Sequence, residues 1–152
     1  MKTSNVLCLA AACAALAGAA SAATISPTGT NFTARGALSA HIGTGVLGCT
    51  LTVAGVVAAD GSHATINSAA FSGGSICAVW STSGLPWTAT PTSPTAMTIS
   101  GMSIVAAPLT CTGSVSGSWD NTLSRFTAVN QPLGDCTISM ILPTTPALSI
   151  AP

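Results

Sequence analysis

Charge is nearly absent from this chain. It has no glutamate and no tyrosine, its single lysine is Lys2, and the other formal charges are Arg35 and Arg125 against Asp60, Asp120 and Asp135. Charged residues make up 4% of the sequence, where about 25% is ordinary for a globular domain. The lack of clustered Lys and Arg excludes electrostatic nucleic-acid binding, which replaces phosphate counterions with basic side chains. A polybasic mode of membrane-surface binding is excluded on the same ground. With only His41 and His63 as histidines, a serine hydrolase would have little from which to assemble a base and its orienting carboxylate. Glycosidase chemistry, which needs paired carboxylates, has three aspartates to draw on, and Asp60 and Asp120 occupy turn positions. These absences point away from an enzyme.

Long apolar runs are also scarce. The only extended one, Val6 to Gly18, follows Lys2 and precedes Ala20-Ser21-Ala22. A positive start, a short apolar stretch and an A-x-A site define a secretory signal. The run is too short for a bilayer-spanning helix of ~20 residues. Residues 1–22 are therefore read as a signal peptide and 23–152 as one exported domain, secreted or retained at the cell surface or in the periplasm, with no transmembrane segment.

What is plentiful is hydroxyl: 38 serines and threonines lie in 23–152. Apolar residues alternate with them at period two, and no segment holds a helical period with caps. The pattern predicts strands at Asn31–Arg35, Ala37–His41, Val46–Val57, His63–Phe71, Ile76–Trp80, Trp87–Thr90, Ala96–Ala106, Cys111–Trp119, Leu123–Val129 and Cys136–Leu142. Asp60-Gly61 and Asp120-Asn121 read as hairpin turns, and Pro91 and Pro94 mark a central loop. Many short strands with frequent turns point to a sandwich or a partly closed barrel; the antiparallel β-sandwich is the expectation, with Trp80, Trp87 and Trp119 and the phenylalanines in its core.

Cys8 and Cys13 lie in the signal, leaving Cys49, Cys77, Cys111 and Cys136. An even number in an exported chain predicts two disulfides. A zinc site is the rival, and the absence of any C-x2-C spacing argues against it. The halves of the chain show a weak internal repeat: Phe32-Thr33, Gly36, Cys49-Thr50, Asp60, Phe71 and Cys77 against Thr98-Ile99-Ser100, Gly101, Cys111-Thr112, Asp120, Phe126 and Cys136. If the halves are equivalent, Cys49 pairs with Cys77 and Cys111 with Cys136, one of three possible connectivities. The alternative is that any two hairpins rich in Ser, Thr and Gly look alike.

No motif assigns a catalytic, cofactor or metal site. Gly43-Thr44-Gly45-Val46-Leu47-Gly48 matches G-x-G-x-x-G, but a strand follows where a dinucleotide site needs a helix. Gly113-Ser114-Val115-Ser116-Gly117 lacks the central serine of a nucleophile elbow. His41, His63 and Asp60 have no ligand-like spacing. Trp87, in Gly84-Leu85-Pro86-Trp87-Thr88, is either a stacking surface or, more commonly for Trp, a buried residue.

The blocks Ala23-Thr24-Ile25-Ser26-Pro27, Gly29-Thr30, Phe32-Thr33, Cys49-Thr50, Val57-Ala58-Ala59-Asp60-Gly61-Ser62, Phe71-Ser72-Gly73, Gly84-Leu85-Pro86-Trp87-Thr88 and Thr98-Ile99-Ser100-Gly101 resemble, in order, the exported alkane-oxidation activator family of PraA and PraB proteins. The resemblance spans most of 23–152 and is less clear from Ser114 onward. It implies an exported accessory protein that promotes growth on alkanes by aiding contact with, or uptake of, hydrophobic substrate, and it carries over no catalytic residues. Its implied partner is hydrocarbon or another apolar surface. Low charge also favours self-association, and a strand-like tail at Thr137-Ile138-Ser139-Met140-Ile141-Leu142 suggests the alternative of a self-assembling surface subunit whose tail completes a neighbour's sheet.

Overall fold

A computed structural model describes residues 22–152. The expected signal peptide, apart from Ala22, lies outside the described residues, as do Cys8 and Cys13. Eleven strands form in the described chain: β1 (Thr24–Ser26), β2 (Asn31–Ile42), β3 (Gly45–Val57), β4 (Ala64–Ser72), β5 (Ser81–Thr82), β6 (Trp87–Ser93), β7 (Ala96–Ala106), β8 (Leu109–Asp120), β9 (Arg125–Leu133), β10 (Cys136–Thr145) and β11 (Ser149–Ala151). One 3-10 turn, Cys77–Val79, precedes β5.

The fold is all-β, but it is a closed barrel and not the expected sandwich. Strands β2, β3, β4, β6, β7, β8, β9 and β10 pair antiparallel in chain order, and β10 then pairs with β2, from Thr137 opposite His41 to Thr145 opposite Thr33. The alternation that suggests a sandwich is equally the pattern of a barrel, since each buries one face of every strand. Closure depends on the pairing of β2 with β10, about a hundred residues apart, which no local pattern encodes.

An eight-stranded barrel leaves an interior just wide enough for side chains. Here Leu38, Leu51, Val53, Ile66, Trp87, Ile99, Ile104, Val115, Phe126, Ile138, Met140 and Leu142 are interleaved with Ala34, Ala40, Ala64, Ala89 and Ala128, all buried. Small residues between large ones let opposite walls interdigitate. Hydroxyls face outward: Thr98 Oγ1 and Ser116 Oγ lie 2.8 Å apart across β7 and β8, and Ser118 Oγ donates to Thr127 O at 3.4 Å. This arrangement is the reverse of a barrel with an apolar outer band and a polar lumen.

Two glycines let a neighbouring strand and an aromatic ring approach closely. A Cβ at Gly55 would run into Thr65 O and the Phe32 ring, and one at Gly117 would run into Thr127 O and the Phe126 ring. Each lies six residues after the first cysteine of its half, Cys49 or Cys111. The strand order divides at the same place, into β2-β3-β4-β6 and β7-β8-β9-β10. In each run a disulfide ties the start of the second strand to the segment after the third: Cys49 to Cys77, with Cα atoms 5.7 Å apart, and Cys111 to Cys136 at 5.6 Å.

Several elements differ from expectation. Asn31–Arg35 and Ala37–His41 are one strand, continuous through Gly36. Ile76–Trp80 is not a strand: it contains the 3-10 turn, with Trp80 N–H donating to Cys77 O at 3.3 Å. Pro91 lies inside β6, where the register shifts between Pro91 and Ser93, the sort of bulge that tolerates a residue without an N–H. The Thr137–Leu142 segment is not a free tail. It belongs to β10, which is paired on both sides.

Candidate functional site: the disulfide end of the barrel

The up-and-down order gives the barrel two unlike ends. At one, the β3–β4, β6–β7 and β8–β9 turns meet a short ribbon of β1 paired with β11. At the other lie the β2–β3, β7–β8 and β9–β10 turns, the 73–86 connection and both disulfides.

The ribbon end is polar at its turns. Asp60 Oδ1 accepts from Ser62 N at 3.0 Å and Ser62 Oγ at 2.7 Å, and Asp120 Oδ1 accepts from Thr122 N at 2.9 Å and Leu123 N at 3.0 Å. Both aspartates thus close Asx turns, the reason this residue type starts such hairpins. The Ser62 N–H, followed by the Ser62 hydroxyl, holds the Asp60 carboxyl below its ordinary value. Ser62 Oγ also lies 2.8 Å from His63 Nδ1, so Asp, Ser and His meet in space. A hydroxyl has one proton. Given to Asp60, it leaves Ser62 as an acceptor for the imidazole N–H, the opposite of a serine activated by histidine.

His41 sits beside Val46 in the β2–β3 hairpin, at the disulfide end and away from Asp60 and His63. The His41, His63 and Asp60 metal constellation is therefore not assembled, and among the described residues no group of three His, Cys, Asp or Glu is placed to hold a metal. The four candidate cysteines, Cys49, Cys77, Cys111 and Cys136, are all disulfide-bonded. Trp87 is in the core, 1% exposed, its indole donating to Ser83 O at 3.1 Å, so it offers no stacking face. Gly43 and Thr44 form the β2–β3 turn and Gly45–Gly48 enter β3.

At the disulfide end the connections carry apolar tips. Val46 follows the β2–β3 turn and is 60% exposed, Leu109 follows the β7–β8 turn at 37%, and Ile76 and Val79 flank the 3-10 turn at 48% and 68%. Three of the four connections around the rim thus present large aliphatic side chains to solvent. Ile42, Leu47, Phe71, Leu85 and Ala106 are half-buried and pack against the core. The charged or titratable residues on this end are Asp135 and His41, whereas Asp60, His63, Asp120 and Arg125 lie at the other. The Cys49–Cys77 bridge anchors the segment bearing Ile76 and Val79. No motif marks these four residues, although aliphatic side chains near Gly43, Gly45, Gly74 and Pro108, where turns are usually polar, are a legible signal.

The fold and this rim together define a class: a small disulfide-stapled β-barrel, hydroxyl-coated on its wall and apolar at one end. Among the described residues no helix is long and apolar enough to cross a membrane. The family model for alkane oxidation protein activators, PraA/PraB-like, matches residues 1–152. The chain belongs to that family. No curated protein and no solved structure matches it.

Proposed function

We propose that this protein is an exported, non-enzymatic accessory to alkane oxidation that promotes contact with, or uptake of, hydrophobic substrate at the cell surface or outside the cell, and that it adsorbs to oil through its disulfide end. The observation that carries the reading is that four of the seven exposed large aliphatic side chains, Val46, Ile76, Val79 and Leu109, lie at the disulfide end, whereas the turns with Asp60, His63, Asp120 and Arg125 at the other end expose one, Leu123. Apolar side chains concentrated at one end of an otherwise polar surface mark an interaction site. Removing on the order of 300 Å² of such surface from water corresponds to roughly 7 kcal/mol at about 25 cal/mol per Å². The family supplies the alkane context, and the two disulfides fit an oxidising compartment outside the cytosol. The signal-like residues 1–22 agree with export. The barrel interior is filled apart from one cavity of about 40 Å³ beneath the ribbon, so bulk oil is met at the surface and not swallowed.

The test joins a physical and a cellular measurement. Purified 23–152 is expected to lower hexadecane–water tension, and deletion of the gene to slow growth on long-chain alkanes but not on succinate. An inert interface together with normal alkane growth would refute the reading.

Self-assembly into a fibre or coat is the second reading, motivated by the near absence of charge, which removes repulsion between copies. Filaments formed without oil, in light scattering and negative-stain microscopy, would make it primary.

A further inference from the structure

Beneath the ribbon, on the barrel axis, lies a cavity of about 40 Å³. All eight barrel strands contribute to its wall, with Phe32, Trp119 and Phe126 among the large residues and Ala34, Ala64 and Ala89 leaving the space. Ile25 of β1 and Leu148, just before β11, form its roof. Two lining residues carry polar groups: the Thr144 hydroxyl is committed to Ser124 Oγ at 2.6 Å and Ser124 O at 3.2 Å, and the Trp119 indole N–H donates to Asn121 Oδ1 at 2.8 Å. The space therefore presents no free donor or acceptor, and a carboxylate or alcohol head group would lose its hydrogen bonds on entering.

The roof is held by side chains of one hairpin. Asn121 acts as a substitute strand: its Oδ1 accepts from Ile150 N at 2.7 Å and Trp119 Nε1 at 2.8 Å, while its Nδ2 donates to Ile150 O at 3.0 Å and Pro94 O at 3.2 Å. Ser124 Oγ donates to Leu148 O at 2.8 Å and accepts from Leu148 N. Apart from these, the ribbon is tied down by the Ile25 N–H to Gly61 O at 2.8 Å and by its own burial. A cover fastened at a few points over a dry apolar space can lift without breaking the barrel ladder.

We propose that this chamber is a binding site for the end of a saturated hydrocarbon chain, with the β1–β11 ribbon as its cover. Size selects the class: benzene occupies an engineered cavity of about 150 Å³, so a space of about 40 Å³ takes no whole ring and holds only the terminal carbons of a chain, the remainder lying under the lifted ribbon. The chamber lies at the end of the barrel opposite the apolar rim, so this site stands or falls separately from adsorption to oil.

Methionine methyl groups report it. Met97 lines the chamber, whereas Met102 and Met140 are buried elsewhere in the core. In 23–152 labelled with 13C at the methionine methyls, n-pentane dissolved below its solubility limit is expected to shift Met97 saturably and leave Met102 and Met140 in place. Leu148→Ala, which deepens the roof, should tighten n-pentane binding several-fold, and Ala89→Leu, which fills the space, should abolish the Met97 shift. Should Ala89→Leu fail to fold, Leu148→Ala carries the comparison alone. Equal movement of all three methyls, or an unmoved Met97 in Leu148→Ala at saturating n-pentane, would overturn the proposal. Because n-pentane is dissolved and no oil surface is present, neither outcome bears on the rim.

Discussion

Asn121 shows how much one side chain carries in a chain with few charges. Its amide satisfies both backbone groups of Ile150 and the Trp119 indole, so Asn121→Ala leaves buried polar groups unpaired. Such orphaned groups cost roughly 1–3 kcal/mol each. Urea unfolding should show a loss of about 2 kcal/mol, with amide exchange speeding first at Ile150. Gly117 has another kind of leverage. With Thr127 O and the Phe126 ring occupying its Cβ position, Gly117→Ala must push β8 from β9 and should cost about 1–3 kcal/mol. Asp60 supplies a pH dependence of known sign. Its carboxyl is held low by the Ser62 N–H and hydroxyl, so the stabilisation it brings is present above the ordinary carboxylate pKa and is lost as pH falls through the lowered folded-state value. Acid titration by NMR should show the 58–63 turn loosening over that interval. Asp60→Asn should remove the transition.

At the scale of elements, periodicity read well wherever a strand is one face in and one face out. β7 runs from Ala96 to Ala106, as the alternation predicts, and β3 exceeds its predicted span by one residue. Gly36 reads as a break between two strands, but the pairing of β2 with β3 continues across it, opposite Leu51. Ile76 to Trp80 reads as a strand because it is apolar, yet the Cys49–Cys77 bridge fixes it against β3 and a 3-10 turn accommodates the reversal. β1, β5 and β11 are two or three residues long, below any periodic signal. The candidate site shares that limit: Val46, Ile76, Val79 and Leu109 come from three connections and share one end of the barrel only once it closes. The disulfides are the elements that hold this end. Replacing Cys49 and Cys77 by serine should cost roughly 3–4 kcal/mol by the chain-entropy estimate for such loops, and Cys111 and Cys136 about the same. The two losses should differ in consequence. Losing the Cys49–Cys77 bridge frees the segment bearing Ile76 and Val79 and should weaken oil adsorption in the still-folded protein, whereas losing the other should mainly lower the unfolding midpoint.

For the whole molecule, closure is the decisive feature. A sheet joined first strand to last has no edges, so a chain with almost no charge to keep copies apart can still avoid pairing through its wall. The outward hydroxyls serve solubility where lysine and glutamate are missing. What remains unequal is the two ends, and that inequality underlies the proposed role at an oil surface. Pendant-drop tensiometry at the hexadecane–water interface tests it most directly, comparing the native protein with Val46→Ser/Ile76→Ser/Val79→Ser/Leu109→Ser and with a control changed away from the rim, Leu123→Ser/Val129→Ser/Ile141→Ser. All seven positions are exposed, so both variants should fold. The account predicts that the rim variant loses most of its tension lowering while the control keeps it. Equal activity in all three proteins would contradict it.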